Sequence, residues 1–145
     1  MSITEKIDYP KFKSICEDYD VLAVYLYGSQ LSGKVDKYSD LDLGVLFYQS
    51  REKDISSAEL FMDFKEKISE VIEFAKLDIN FLQNNNLKTK FKVITTGEVI
   101  YSADDKLRLS YEDKIICQGL DFNVEMRLYY NELESLVKRG DLVGR

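Results

Sequence analysis

Residues 21–47 read VLAVYLYGSQLSGKVDKYSDLDLGVLF, and the fold turns on this stretch. Its first seven residues, Val21–Tyr27, form an unbroken apolar and aromatic run that stops at Gly28. A short run of that kind, ended by glycine, is the pattern of a strand buried on both faces. The chain then turns polar, with a short helix expected from about Ser29 over residues 30–32 and a polar connection over 34–39. Asp40–Phe47 alternates cleanly at its start and reads as a second strand. Strand side chains alternate faces, so Asp40 and Asp42 share one side, roughly 7 Å apart along the backbone, and Leu41 and Leu43 share the other.

Two carboxylates on one face of a rigid strand repel each other unless a cation lies between them. Mg²⁺ suits such a pair, being hard, oxygen-seeking and content with carboxylates plus phosphate oxygens. Residues 77–82 read as a third strand, in which Leu77, Ile79 and Phe81 share one face and Asp78 and Asn80 the other. A carboxylate within a strand built for burial is costly without a partner. A neighbouring strand carrying Asp40 and Asp42 would supply that partner through the metal. Three carboxylates from two strands make a two-metal site for phosphoryl or nucleotidyl transfer. Gly28 at a strand end, followed by Ser29, lets backbone N–H groups and a hydroxyl approach a triphosphate.

Further out, residues 3–19 read as a helix with Pro10 in its first part, and 49–56 as a charged loop. Residues 57–74 form a strongly amphipathic helix, with Leu60, Phe61, Phe64, Ile68, Val71 and Ile72 at helical spacing. Leu87–Thr96 reads as a helix with Gly97 at its C-terminal cap, and 99–101 as a short strand. From Lys106 onward helical spacing continues, as one long helix or as two interrupted at Gly119. There Tyr111, Tyr129, Tyr130 and Leu133 are candidates either for core or for a partner-facing surface. The class is α+β: a small mixed sheet flanked by helices. One domain over 1–145 is expected, with a core over about 20–103 and a helical C-terminal region over about 106–139.

Composition narrows the chemistry. The 145 residues are 45% apolar, enough for a core in a domain that buries about 70% of its unfolded surface. With 20 basic and 26 acidic residues the net charge is −6, which argues against direct nucleic-acid binding and against an anionic membrane. There is no histidine, which removes histidine-dependent nucleophile systems and nearly all zinc chemistry. Cys16 and Cys117 sit in apolar surroundings and read as buried small hydrophobes. No run approaches a membrane span and the N-terminus lacks a signal-peptide pattern, so a cytoplasmic setting is expected.

Gly28-Ser29, ten intervening residues, then Asp40-Leu41-Asp42 resembles the signature of the DNA polymerase β-like nucleotidyltransferase superfamily. More narrowly, the chain is similar to the minimal nucleotidyltransferases that act as antitoxins beside HEPN-domain toxins. Asp78 matches the third acidic strand, and residues 94–101, Tyr111-Glu112 and Asp121 resemble that group's C-terminal pattern. Gln30 and Ser32 depart from it, standing where many members carry arginine, while Gly33 is kept. The resemblance implies a polymerase β-like fold and transfer of AMP from ATP to a hydroxyl, a tyrosine for preference, of a cognate HEPN ribonuclease toxin. It implies a hetero-oligomer with that toxin. Asp40 and Asp42 would hold two Mg²⁺ ions, Asp78 would bind the catalytic one and assist deprotonation, and Gly28 and Ser29 would grip the β- and γ-phosphates. Two other readings stand beside it. One is a nucleotidyltransferase-like module that neutralises a partner by steric contact; the other is a transferase acting on a small-molecule hydroxyl.

Overall fold

Val21–Tyr27 forms β1, an inner strand of a four-stranded sheet whose order is β3–β2–β1–β4. The computed structural model describes residues 7–27, 40–73 and 76–138. The expected helix over 30–32, the polar stretch 34–39, Gly28 and Ser29 lie outside them, as do the side chains of Asp40, Leu41, Lys76 and Val124. The elements run α1 (Tyr9–Asp18), β1, β2 (Asp40–Phe47), α2 (Ala58–Ser69), β3 (Lys76–Phe81), α3 (Leu87–Thr96), β4 (Glu98–Ser102) and α4 (Asp105–Lys138). β1 pairs antiparallel with both β2 and β4, whereas β2 and β3, joined through α2, run parallel. The sheet is therefore mixed, as the sequence implied.

Helices cover both faces, which explains why β1 carries no polar alternation. On one side Val24, Leu26, Leu43, Val45, Phe47, Ile79 and Phe81 pack against Phe12 and Cys16 of α1 and Phe64 and Ile68 of α2. Phe47, Phe61, Phe64 and Phe81 meet edge to face there, with centroids 4.6–6.0 Å apart. That geometry adds about 0.5–1.5 kcal/mol per pair beyond area burial. On the other side Ala23, Tyr25, Leu46 and Leu82 pack against Val93 and Ile94 of α3 and Ile115 of α4.

β3 (Lys76–Phe81) and β4 (Glu98–Ser102) shift by a residue at each end from the sequence reading, and three segments differ more. The helix expected over 3–19 begins at Tyr9, with Pro10 in its first turn, where proline's missing N–H costs nothing. Ile7 is instead bridged to Ile72. The helix expected over 57–74 runs from an N-cap at Ser57, which accepts from the Leu60 N–H, but stops at Ser69. The Ser69 hydroxyl bonds back to the Lys65 carbonyl, and the chain turns so that Val71 and Ile72 enter the core. The loop over 49–56 contains a 3-10 turn at Gln49–Arg51.

α4 is continuous through Gly119. A Cβ on Gly119 would stand 2.1 Å from the Phe91 ring, so glycine is there to let α3 and α4 close on one another. Gly97, the C-cap of α3, has extended backbone (φ −79°) and is required for a different reason. Its Cβ would lie 2.4 Å from the Val93 carbonyl oxygen and 3.3 Å from that of Leu26. Of the four residues that could be core or partner-facing, Tyr111 is half-buried against the α3/α4 core and Leu133 is half-buried, while Tyr129 and Tyr130 are exposed.

The cysteines separate. Cys16 is fully buried on α1, as expected, but Cys117 is exposed. Ile115 takes the inward face of α4, and two residues on, a helix has turned to the opposite side.

Two predictions follow from this packing. Gly97→Ala must displace helix backbone rather than a side-chain tip, so it should cost about 1–3 kcal/mol. Thermal melts should show a midpoint several degrees lower. Burial pushes the Cys16 thiol up to about 12, with Glu17 adding to the effect. In the folded protein at pH 8 one thiol, Cys117, should react with an aromatic disulfide reagent, and two in denaturant. Because the thiol ionises near 8.5 when unfolded, Cys16's contribution to stability should be complete below that pH and diminish as pH rises above it.

Candidate functional site

Parallel pairing of β2 with β3 places Asp42 directly opposite Asp78, and Asp40 opposite Lys76. Neighbouring strands lie about 4.8 Å apart, and residues in register on parallel strands project to the same side. Two carboxylates thus stand side by side, both partly buried. β1 extends the row, since Tyr27 is the antiparallel register partner of Asp42. The row is Tyr27–Asp42–Asp78, at the end of the sheet where β1 finishes and where β2 and β3 begin.

Local sequence explains the placement. Leu43, Ile79 and Phe81 are held in the α1/α2 core, which forces Asp42, Asp78 and Asn80 to the opposite face. Behind the acidic row, Gly44 pairs with Tyr25 on one side and Asn80 on the other. The absent side chain lets α3 come down on the sheet. A Cβ at Gly44 would meet Val93 Cγ1 at 3.1 Å and Leu82 Cγ at 3.4 Å. Deeper still, the Tyr25 hydroxyl donates to Glu112 Oε2 at 2.9 Å, and Arg108 bonds the same carboxylate. This half-buried triad fastens α4 to β1. It gives Glu112, which matched the family's looser pattern, a contact with the sheet, whereas Asp121 is exposed.

Two polar groups at the site were not assigned a role from sequence. Asn80 Nδ2 donates to the Tyr27 hydroxyl oxygen. Burial raises the Tyr27 phenol pKa; the negative charges of Asp42 and Asp78 push the same way, against the Asn80 hydrogen bond. The phenol therefore stays protonated beside the carboxylates. Asn80 was legible as sharing a face with Asp78, but no sequence signal tied it to Tyr27, 53 residues away.

Of the predicted site residues, Asp42 and Asp78 are brought together. Asp40 lies two residues ahead on the same strand, and Gly28 and Ser29 fall outside the described residues. Among the described residues no group of three or more carboxylate, histidine or cysteine side chains forms a metal cluster. The donors that are described, two hard carboxylates in register, fit Mg²⁺. Nor is any helix of the described residues long and apolar enough to cross a membrane.

If the pair holds Mg²⁺, saturating Mg²⁺ should raise the melting temperature, because a ligand at 100 times its Kd adds about 2.7 kcal/mol. Asp42→Asn and Asp78→Asn should fold in metal-free buffer and lose that shift. Equal shifts in parent and variants would remove the pair as the cation site.

The family described as polymerase beta, nucleotidyltransferase matches residues 10–106, which spans β1 through β4 and the acidic row. No curated protein matches the chain. Solved structures match over most of its length. One is a toxin–antitoxin with AMP-PNP (TM-score 0.61, 18% identity, covering 88% of this chain and 99% of that one). Another is a mutant MntA toxin–antitoxin pair carrying two Asp-to-Glu changes two positions apart (TM-score 0.59, 16% identity, 88% and 99%). A third is the tri-AMPylated Shewanella oneidensis HEPN toxin in complex with its MNT antitoxin (TM-score 0.57, 18% identity, 86% and 94%). At these identities the likeness speaks for the fold. The four-stranded mixed sheet, its flanking helices and the long C-terminal helix match the polymerase β-like nucleotidyltransferase architecture, and the chain belongs to the polymerase beta nucleotidyltransferase family.

Proposed function

We propose that this chain is an antitoxin-type protein adenylyltransferase, Mg²⁺-dependent, that transfers AMP from ATP to a hydroxyl, preferably a tyrosine, of a HEPN-domain ribonuclease toxin. The observation that carries the reading is the register of Asp42 with Asp78, two like charges set side by side on a buried sheet. Membership of the nucleotidyltransferase family supports it, as do structural likenesses whose own partners are HEPN toxins and an ATP analogue.

In this reading Asp40, Asp42 and Asp78 would hold two Mg²⁺ ions, which when bound would supply charge neutralisation for the phosphates. Gly28 and Ser29 grip the β- and γ-phosphates through backbone N–H groups and the hydroxyl. Asp78 accepts the proton of the acceptor hydroxyl. That oxygen bonds to the α-phosphorus as the bond to the bridging oxygen breaks, and pyrophosphate leaves. Positioning and charge neutralisation supply most of the rate, so few basic side chains are needed and an acidic protein suffices. We place the protein in the cytoplasm, in a hetero-oligomer with its toxin, and read residues 1–145 as one domain.

Gln30 and Ser32, where many members of the group carry arginine, favour a second reading, a module with little turnover that neutralises by steric contact. The two separate cleanly. With toxin, ATP and Mg²⁺, substoichiometric protein should give a toxin heavier by one or more AMP units in intact mass spectra, and inactivation should persist after the protein is removed. Asp40→Asn or Asp42→Asn should lower transfer by roughly a thousandfold, about 4 kcal/mol. An unmodified toxin fully neutralised only at one-to-one would establish the contact mechanism instead.

A further inference from the structure

We infer that Tyr27 and Asn80 act together as a positioning bridge for the Asp42–Asp78 pair. Neither belongs to the carboxylate set, and both lie beside it. Tyr27 stands in register with Asp42 on β1, and Asn80 lies two residues beyond Asp78 on β3. Their hydrogen bond crosses the whole width of β2. On β2 it runs from the row of Gly44, the register partner of Asn80, to the row of Asp42, the register partner of Tyr27.

The polarity of the bridge determines its action. Asn80 donates its amide N–H to the Tyr27 oxygen, so the tyrosine's own O–H is directed elsewhere. The charges that bear on that phenol from the neighbouring strands are those of Asp42 and Asp78. Tyr27 therefore sets a neutral hydroxyl beside the carboxylate row, in register with Asp42. A donor held there limits the rotamers of the carboxylates and fixes which lone pairs face outward, as outer-shell partners do at metal sites. The bridge is also the boundary of the site. Behind it Val93 and Leu82 close over Gly44, so the row passes from charged to apolar within one residue step.

The inference rests on the carboxylate pair being the cation site proposed above, and the test separates the two. Mn²⁺ alone is titrated by electron paramagnetic resonance against the parent, Tyr27→Phe, Asn80→Leu, the double variant and Asp78→Asn. Melting in EDTA establishes that each is folded. Tyr27→Phe and Asn80→Leu should each weaken Mn²⁺ binding about tenfold with little change in metal-free melting. The double variant should lose no more than either single, since both remove one bridge. A Tyr27→Phe affinity within twofold of the parent, or losses that multiply in the double variant, would overturn the bridge while leaving the cation site intact. Unchanged Mn²⁺ affinity in Asp78→Asn would overturn the cation site itself.

Discussion

Two carboxylates in register on adjacent parallel strands are an electrostatic liability that the sheet enforces. Asp42 and Asp78 cannot move apart without breaking the β2–β3 ladder, and cannot rotate to the other face without pulling Leu43 and Ile79 from the core. Their separation is a backbone property, set by ladder hydrogen bonds and by the buried apolar residues that follow them on each strand. The surrounding elements serve to make that ladder rigid. α2 joins the two strands and buries Phe64 and Ile68 beneath them, while α3 closes the opposite side over Gly44. Repulsion held in place in this way is what the proposed cation would relieve.

Close approach of helices to the sheet and to one another is the second requirement, and three glycines meet it by three routes. Gly44 lets α3 contact the strand that bears Asp42, Gly97 lets α3 end against its own carbonyl and β1, and Gly119 lets α4 lie against Phe91. None of the three depends on a left-handed conformation. Among the described residues the one non-glycine with positive φ is Asp20, at 57°, in the two-residue turn from α1 to β1. Its backbone accepts from Tyr48, and its carboxylate pairs with Arg51 at 3.1 Å, so side-chain and backbone bonds fix that conformation.

Much of this was legible because strand period and glycine punctuation are local signals. Val21–Tyr27, Asp40–Phe47 and Leu87–Thr96 have the bounds read from sequence, and the alternation in β3 correctly assigned Asp78 and Asn80 to one face. What local pattern cannot carry is where a helix stops when its apolar spacing continues. Val71 and Ile72 fit the α2 periodicity and are buried, yet they reach the core from a turn. Cys117 shows the same gap, its apolar neighbours being on the inward side while it faces out. The Tyr27–Asn80 bond joins strands that do not touch one another, so it depends on strand order, which composition and spacing leave open.

α4 has a further consequence. Its 34 residues span about 51 Å at 1.5 Å per residue, yet among the described side chains Ile115 is its last fully buried apolar one, one turn before Gly119 meets Phe91. Beyond that, residues 120 to 138 form five further turns, and the side chains described there are at best half-covered. A helix of that length in water owes little to its own propensity. The same element is therefore anchored at one end by the Tyr25–Glu112–Arg108 triad and marginal at the other. Amide exchange along it should form a gradient, slow around 108–119 and fast toward 138, with each turn protected by the one before it.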